Sequence, residues 1–347
     1  MHASKRTVTI RDIAAEVGCS HTTVSLALRN HHKIPEQTRE KIRAVAKSLN
    51  YEPNPYVQTL LSQVRKGRVE AQRAGLALLT NYTLKRRWKL MPNNNRAIQA
   101  AFNRAEELGY RLEEFSLQEP GMNLERLRKV LLARGIRGIL VAPTEHDRMQ
   151  WNVDLSSFSL VSLGQGLEGV SVSTVSHDHA HSMRMVIRRL VAKGFKRVGC
   201  ALNFEMDNRV GNGWSAHFAH YQMKVPARNR IPLLDRKGLG VQALLKWIDQ
   251  NKLDAVISNR SADYDDLLKA GIRIPEDLGF ACVSILPGRA DISGVCQNNH
   301  HAGVQSIELI VQMIQNSHFG LPDVPRFIYI PGEWNEGHTL PANAQPG

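Results

Sequence analysis

Over the first fifty residues, apolar positions recur at spacings of three and four and are interrupted by a single glycine. Ile13 and Val17 stand one helical turn apart, Gly18 follows, and Val24, Ala27 and Leu28 resume the stripe. The spacing predicts a helix over 12–17, stopped by Gly18, because a residue without Cβ enters the left-handed conformation cheaply. Ser20 then supplies an N-cap hydroxyl for a second helix. Ala14 is small where the two helices must cross. With the apolar stripe turned inward, His21, Thr22, Ser25, Leu26 and Arg29 are left on the outer side. Two short helices joined by so tight a turn have the layout that places a second helix in the DNA major groove.

From about residue 74 the period changes. Short apolar runs predict strands at 75–79, 111–115, 138–142, 197–201, 255–258, 279–285 and 327–330. Amphipathic stretches predict helices at 95–108, 124–133, 180–192, 241–249 and 304–314, several stopped by glycine. Strands alternating with helices imply parallel sheets covered on both faces. The fold class expected is a small all-α headpiece followed by an α/β region.

Charge changes the picture next. The chain of 347 residues has a formal net charge of +13, which points to a polyanionic partner. Residues 1–70 hold twelve Lys and Arg against six Asp and Glu, so about half of that excess sits in a fifth of the length. Four cysteines, Cys19, Cys200, Cys282 and Cys296, form no CxxC pair, which argues against a zinc ribbon or a disulfide framework. No leader and no long apolar run is apparent, so a cytoplasmic protein with no membrane partner is expected.

The ordered motifs Thr9-Ile10-Arg11-Asp12-Ile13-Ala14, Gly18-Cys19-Ser20, Thr23-Val24-Ser25, Thr38-Arg39-Glu40-Lys41-Ile42 and Leu49-Asn50-Tyr51-Glu52-Pro53-Asn54 resemble the headpiece of the LacI/GalR family of bacterial transcription regulators. Weaker matches continue at 190–198, 253–259 and 271–279. The resemblance implies a headpiece at 1–52, a hinge helix and linker at 53–73, and a periplasmic-binding-protein-like effector domain at 74–340. That domain would have two doubly wound parallel-sheet subdomains, 74–175 with 299–321 and 176–298 with 322–340. It implies a repressor that binds a palindromic operator in double-stranded DNA as a homodimer, modulated by a small-molecule effector in the cleft between subdomains.

Carried onto this chain, the resemblance makes His21, Thr22 and Leu26 base readers. Leu26 stands where the family more often has Arg, so the half-site should differ. Thr9, Ser20, Ser25, Thr38, Tyr51 and Asn54 match phosphate-holding positions, with Arg11, Arg29 and Lys33 as basic additions. In the hinge, Val57, Leu60 and Leu61 would enter the minor groove, Leu60 at the wedging position. Pro55 replaces the more usual basic residue but is compatible with a first helical turn.

Departures are concentrated where a ligand would bind. Asn259 is followed by Arg260 rather than an aspartate, and Ser284-Ile285-Leu286-Pro287 lacks the family's carboxylates. Paired acceptors suit a sugar diol, so a site with Arg209, Asn259, Arg260 and Gln297 favours an anionic metabolite over a sugar, or is an ordinary surface. No cofactor and no metal is expected. His177-Asp178-His179-Ala180-His181 offers three imidazoles, but Asp178 reads more simply as a helix-start anion. Lys85-Arg86-Arg87-Trp88-Lys89 reads as a solvated rim loop rather than a nucleic-acid patch. A sugar-binding transport component, or a metal-dependent enzyme using the histidine cluster, remains as an alternative.

Overall fold

The computed structural model describes residues 9–28, 34–49, 51, 74–82, 87–143, 151–164 and 169–342. The chain divides into two compact units, Met1–Gln72 and Arg73–Gly347.

Among the described residues, the first unit holds three helices: α1 (Ile10–Val17), α2 (His21–Ala27) and α3 (Glu36–Ser48). A capping box opens α1, with the Asp12 amide donating to Thr9 Oγ1 and the Thr9 amide donating to Asp12 Oδ2 at 2.7 Å. Gly18 closes α1 at φ 74°, a backbone state that costs a residue with Cβ about 1 kcal/mol. Ser20 Oγ accepts from the Thr23 amide at 3.1 Å and starts α2. Ile13, Ala14, Val24, Ala27, Ile42 and Ala46 are buried together, so the apolar stripe read from the sequence is the core of this unit.

The second unit holds two six-stranded sheets. In the first are β1 (Ala74–Thr80), β2 (Tyr110–Ser116), β3 (Gly138–Val141), β4 (Ser159–Leu163), β5 (Ser173–His177) and β11 (Phe327–Ile330), in the order β11-β5-β4-β3-β1-β2 and parallel throughout. Helices α4 (Pro92–Glu107) and α11 (Asn299–Gln315) pack together on one face, and α5 (Leu124–Ala133) contributes to the core of the other.

The second sheet has the order β12-β10-β9-β8-β6-β7, from β6 (Val198–Leu202), β7 (Leu234–Asp235), β8 (Ala255–Ser258), β9 (Gly279–Ile285), β10 (Gly294–Cys296) and β12 (Glu333–Asn335). Only β12 runs antiparallel to its neighbour. One core packs α6 (His179–Ala192) and α8 (Ser215–Lys224) on this sheet; the other packs α9 (Val241–Asn251) and α10 (Ala262–Lys269). Helix α7 (Phe204–Arg209) follows β6. Both sheets reverse strand order beside their first strand, and open sheets of this kind bind ligands at that switch, outside the carboxyl ends of the strands.

The chain crosses between the sheets three times, after β5, after β10 and after β11. The last crossing corrects an expected boundary. Residues 322–340 do not all belong with the second subdomain, because β11 pairs with β5 and the chain crosses only at Pro331-Gly332. The crossings are tied together: the Asp178 amide donates to the Ile330 carbonyl at 2.9 Å, and Asn298 Nδ2 donates to the Pro331 carbonyl at 2.9 Å. A Cβ on Gly332 would meet Val295 Cγ1 at 2.4 Å, so glycine permits this close passage.

Candidate functional site

In the three-helix unit, burial of one side of α2 fixes what the other side shows. His21 and Thr22 are exposed, and Ser25 and Leu26 are half-buried. A two-turn helix anchored by Val24 and Ala27 therefore presents an imidazole, a hydroxyl with a methyl, and a leucine. Such groups can meet base edges and a thymine methyl. Arg11 is exposed, Thr38 and Tyr51 are half-buried, and the hydroxyls of Thr9 and Ser20 are engaged in capping. Arg29, Lys33, Asn54, Val57, Leu60 and Leu61 lie outside the described residues.

In the second unit, a cleft of about 420 Å³ opens between the two sheets. It is lined by the starts of α4 and α11, the ends of β4, β5 and β9, and residues of α7. Its walls are mostly apolar, with Met91, Leu163, Val175, Met206, Trp214 and Leu286 among them. Of the four effector contacts expected, Arg209 and Gln297 line it, whereas Asn259 and Arg260 do not.

Asn259 is buried and holds Asn203 through both amide atoms, at 3.0 and 3.4 Å. Asn203 in turn caps α7, which carries Arg209, so Asn259 positions the helix. Arg209 Nη2 donates to Glu205 Oε1 at 2.9 Å, while its Nε is buried without a partner. Arg260 Nη1 lies 3.8 Å from Asp263, whose carboxylate is buried against Arg236 at 3.0 Å and accepts from Ser258 Oγ at 2.7 Å. Removing one partner of so buried a pair leaves an uncompensated charge and costs about 3–5 kcal/mol.

The histidine run is divided by the fold. Asp178 Oδ1 accepts from the His181 amide at 2.7 Å, as an N-cap should. His177 and His179 are buried at the cleft wall, ring centroids 4.9 Å apart, and His179 meets Trp214 edge-on at 4.8 Å. Burial holds His177 at about 4, against an upward pull from Asp178, and holds His179 well below the usual imidazole range. Both rings are therefore neutral near pH 7. Among the described residues, no group of three or more His, Cys, Asp or Glu is placed to hold a metal ion.

Two buried indoles were hidden in the sequence. Trp214 lines the cleft. Its backbone is fixed by Asp207, a buried carboxylate that accepts from the Trp214 amide at 3.1 Å and caps α8. Trp88, read as part of a solvated rim loop, is instead buried, stacked on Phe102, with Nε1 donating to Glu114 at 3.1 Å. An indole body outweighs its basic neighbours, since burying it stabilises far more than exposing it.

An exposed recognition-type helix in one unit and a cleft between two doubly wound subdomains in the other define a helix-turn-helix DNA-binding regulator with an effector-binding domain. The family model for bacterial regulatory proteins of the lacI family matches residues 9–54. The chain is similar to the HTH-type transcriptional regulator MalR of Streptococcus pneumoniae, 24% identical over 274 residues, 76% of this chain and 78% of that one. It is also similar to catabolite control protein A of Staphylococcus epidermidis, 21% identical over 335 residues, 92% and 96% of the two chains. In fold it resembles the Lac repressor dimer bound to operator and the anti-inducer ONPF, with a TM-score of 0.58, 16% identity, and coverage of 97% of this chain and 100% of that one. Residues 9–54 match the lacI-family headpiece, and over most of its length the chain is similar to regulators such as MalR and catabolite control protein A. Among the described residues, no helix is long and apolar enough to cross a membrane.

Proposed function

We propose that this regulator is a repressor that binds a palindromic operator as a homodimer and is controlled by a small molecule in the cleft between its subdomains. The observation that carries the reading is α2, held by the Ser20 cap and a buried Val24–Ala27 face so that His21 and Thr22 are exposed. One such helix covers a single half-site, so a specific site needs two related by a twofold axis. Thr9, Arg11, Ser20, Ser25, Arg29, Lys33, Thr38, Tyr51 and Asn54 are the proposed phosphate contacts, which fix register without reading sequence. Relatives that regulate transcription, and a fold likeness to a dimer bound to operator, support this reading.

Arg209 and Gln297 are the proposed effector contacts. A ligand held by both subdomains favours one angle between them, and only such differential binding can shift operator affinity. The test is selection of bound sequences from random duplexes by the full chain, followed by binding of the selected DNA across a salt series. The expected result is a palindromic consensus with affinity falling steeply as salt rises. A chain lacking residues 1–66 that still bound the selected DNA would overturn the reading.

A further inference from the structure

The polar atoms of the cleft are unevenly matched, and the imbalance says what would fill it. Among the described residues that line it, none is Asp or Glu, and Arg209 is the one that carries a fixed positive charge. Helices α4 and α11 both begin at its wall, neither with a side-chain cap nor with an acidic residue in its first turn. Their free N–H groups and positive dipole ends favour an anion there.

A second, separate sign comes from the side chains. Trp214 is 2% exposed, lines the cleft, and its Nε1–H has no partner. Arg209 Nε–H is likewise buried and unpaired. Indole and guanidinium donate and never accept, so both await an acceptor. Meanwhile three of the amides at the wall each give one N–H to a neighbouring hydroxyl. Gln297 Nε2 and Asn93 Nδ2 both donate to Ser284 Oγ, at 3.0 and 3.4 Å, and Asn94 Nδ2 donates to Tyr82 at 3.2 Å. The remaining wall is apolar, and Leu90, Met206 and Leu286 present exposed apolar side chains to it from both subdomains. Apolar surface gathered in this way marks a place that something apolar covers.

We propose that the cleft selects a small organic carboxylate with a flat apolar body, an aromatic acid in its simplest form, over a neutral sugar. The carboxylate lies at Arg209 and Trp214, which supply two N–H donors and a charge, and the body lies among the Met and Leu side chains. A sugar would bring hydroxyl donors to a site without carboxylates and would leave this apolar wall against polar groups. The inference rests on the cleft being the effector site.

Full-length protein is titrated, by calorimetry and tryptophan fluorescence, with benzoate, 4-hydroxybenzoate and cinnamate, with benzamide and cinnamide, and with glucose and cellobiose. At least one acid should bind about tenfold or more tighter than its amide, since a charged hydrogen-bonded pair is lost in the amide. Arg209→Gln should bring acid and amide close to equal. Trp214→Phe, which keeps the ring and removes the donor, should weaken the acid several-fold. Equal binding of acid and amide, tighter binding of either sugar, or saturation by none of the acids would overturn the proposal on the wild-type chain alone. A sugar that bound and shifted operator affinity would sink the carboxylate and leave the regulator standing. Absence of any sequence preference in the DNA selection would sink the regulator itself.

Discussion

Thr22 and Thr38 are the same residue type with opposite expected consequences. Thr22 is exposed on α2, where a lost hydroxyl changes base readout, so Thr22→Ala should shift preference at one or two half-site positions by about 1–3 kcal/mol. Thr38 sits half-buried in the first turn of α3, and Thr38→Ala should weaken all sequences alike. Uniform loss in both variants, measured on a set of single-base operator changes, would remove Thr22 from the readers. His177 makes a second prediction. Its imidazole is near 6.5 when unfolded and about 4 in the fold, so the unfolded chain binds the extra proton between those values. The stability of the effector domain is therefore complete above about pH 7 and lost as pH falls toward 4, by roughly 2 kcal/mol at pH 5 from this one ring. His179 acts in the same direction. Urea unfolding at pH 7.5 and 5 should show that loss, and His177→Gln, which retains a donor toward Ser182, should reduce it. A wild-type stability identical at both pH values would contradict the burial of these rings.

Among elements, two glycines separate conformational strain from steric conflict. Gly18 has open space around a notional Cβ, so Gly18→Ala should cost only the left-handed backbone, about 1 kcal/mol. Gly303 lies where α11 crosses α4, and a Cβ there would stand 2.0 Å from the Ala97 carbonyl oxygen. Backbone cannot rotate out of the way as a side chain can, so Gly303→Ala should force the helices apart and cost about 3 kcal/mol. Thermal unfolding of the two variants should rank them in that order; the reverse ranking would mean that α4 and α11 do not pack this closely. For the hinge, Leu60→Ala should reduce specific operator affinity and DNA bending together, with much nonspecific affinity retained, because the apolar filler that offsets unstacking is gone. Leu61→Ala should do less. An unchanged bend angle in both single variants and in the double variant would exclude a leucine wedge.

At the scale of the molecule, the proposed recognition and the proposed response fall to separate compact units. Three crossings of the chain link the two sheets of the second unit, and hydrogen bonds tie those crossings together. The three-helix unit alone presents too little contact for a specific site, so affinity in the full chain should depend on protein concentration through dimer formation. Analytical ultracentrifugation alongside operator titration should show the two midpoints moving together. Specific binding by a chain that remained monomeric would overturn the two-helix arrangement on a palindrome.

By itself the sequence determined whatever depends on local period and on local chemistry. The Ile13, Val17, Val24, Ala27 stripe, the Gly18 stop and the Ser20 cap are decided within a turn or two of chain, and the strands at 255–258, 279–285 and 327–330 were legible as apolar runs. The parallel sheets followed from alternation alone. Tertiary structure decided which strand pairs with which, because β11 joins the first sheet through hydrogen bonds to β5, more than a hundred residues away. It also decided the membership of the cleft. Asn259 looked like a ligand contact by its motif, yet its amide is spent on Asn203; His179 lay in a histidine run and Trp214 in no motif, yet they form its wall. A side chain's role at such a site depends on what already satisfies its polar atoms, and those partners come from distant segments that no local pattern reveals.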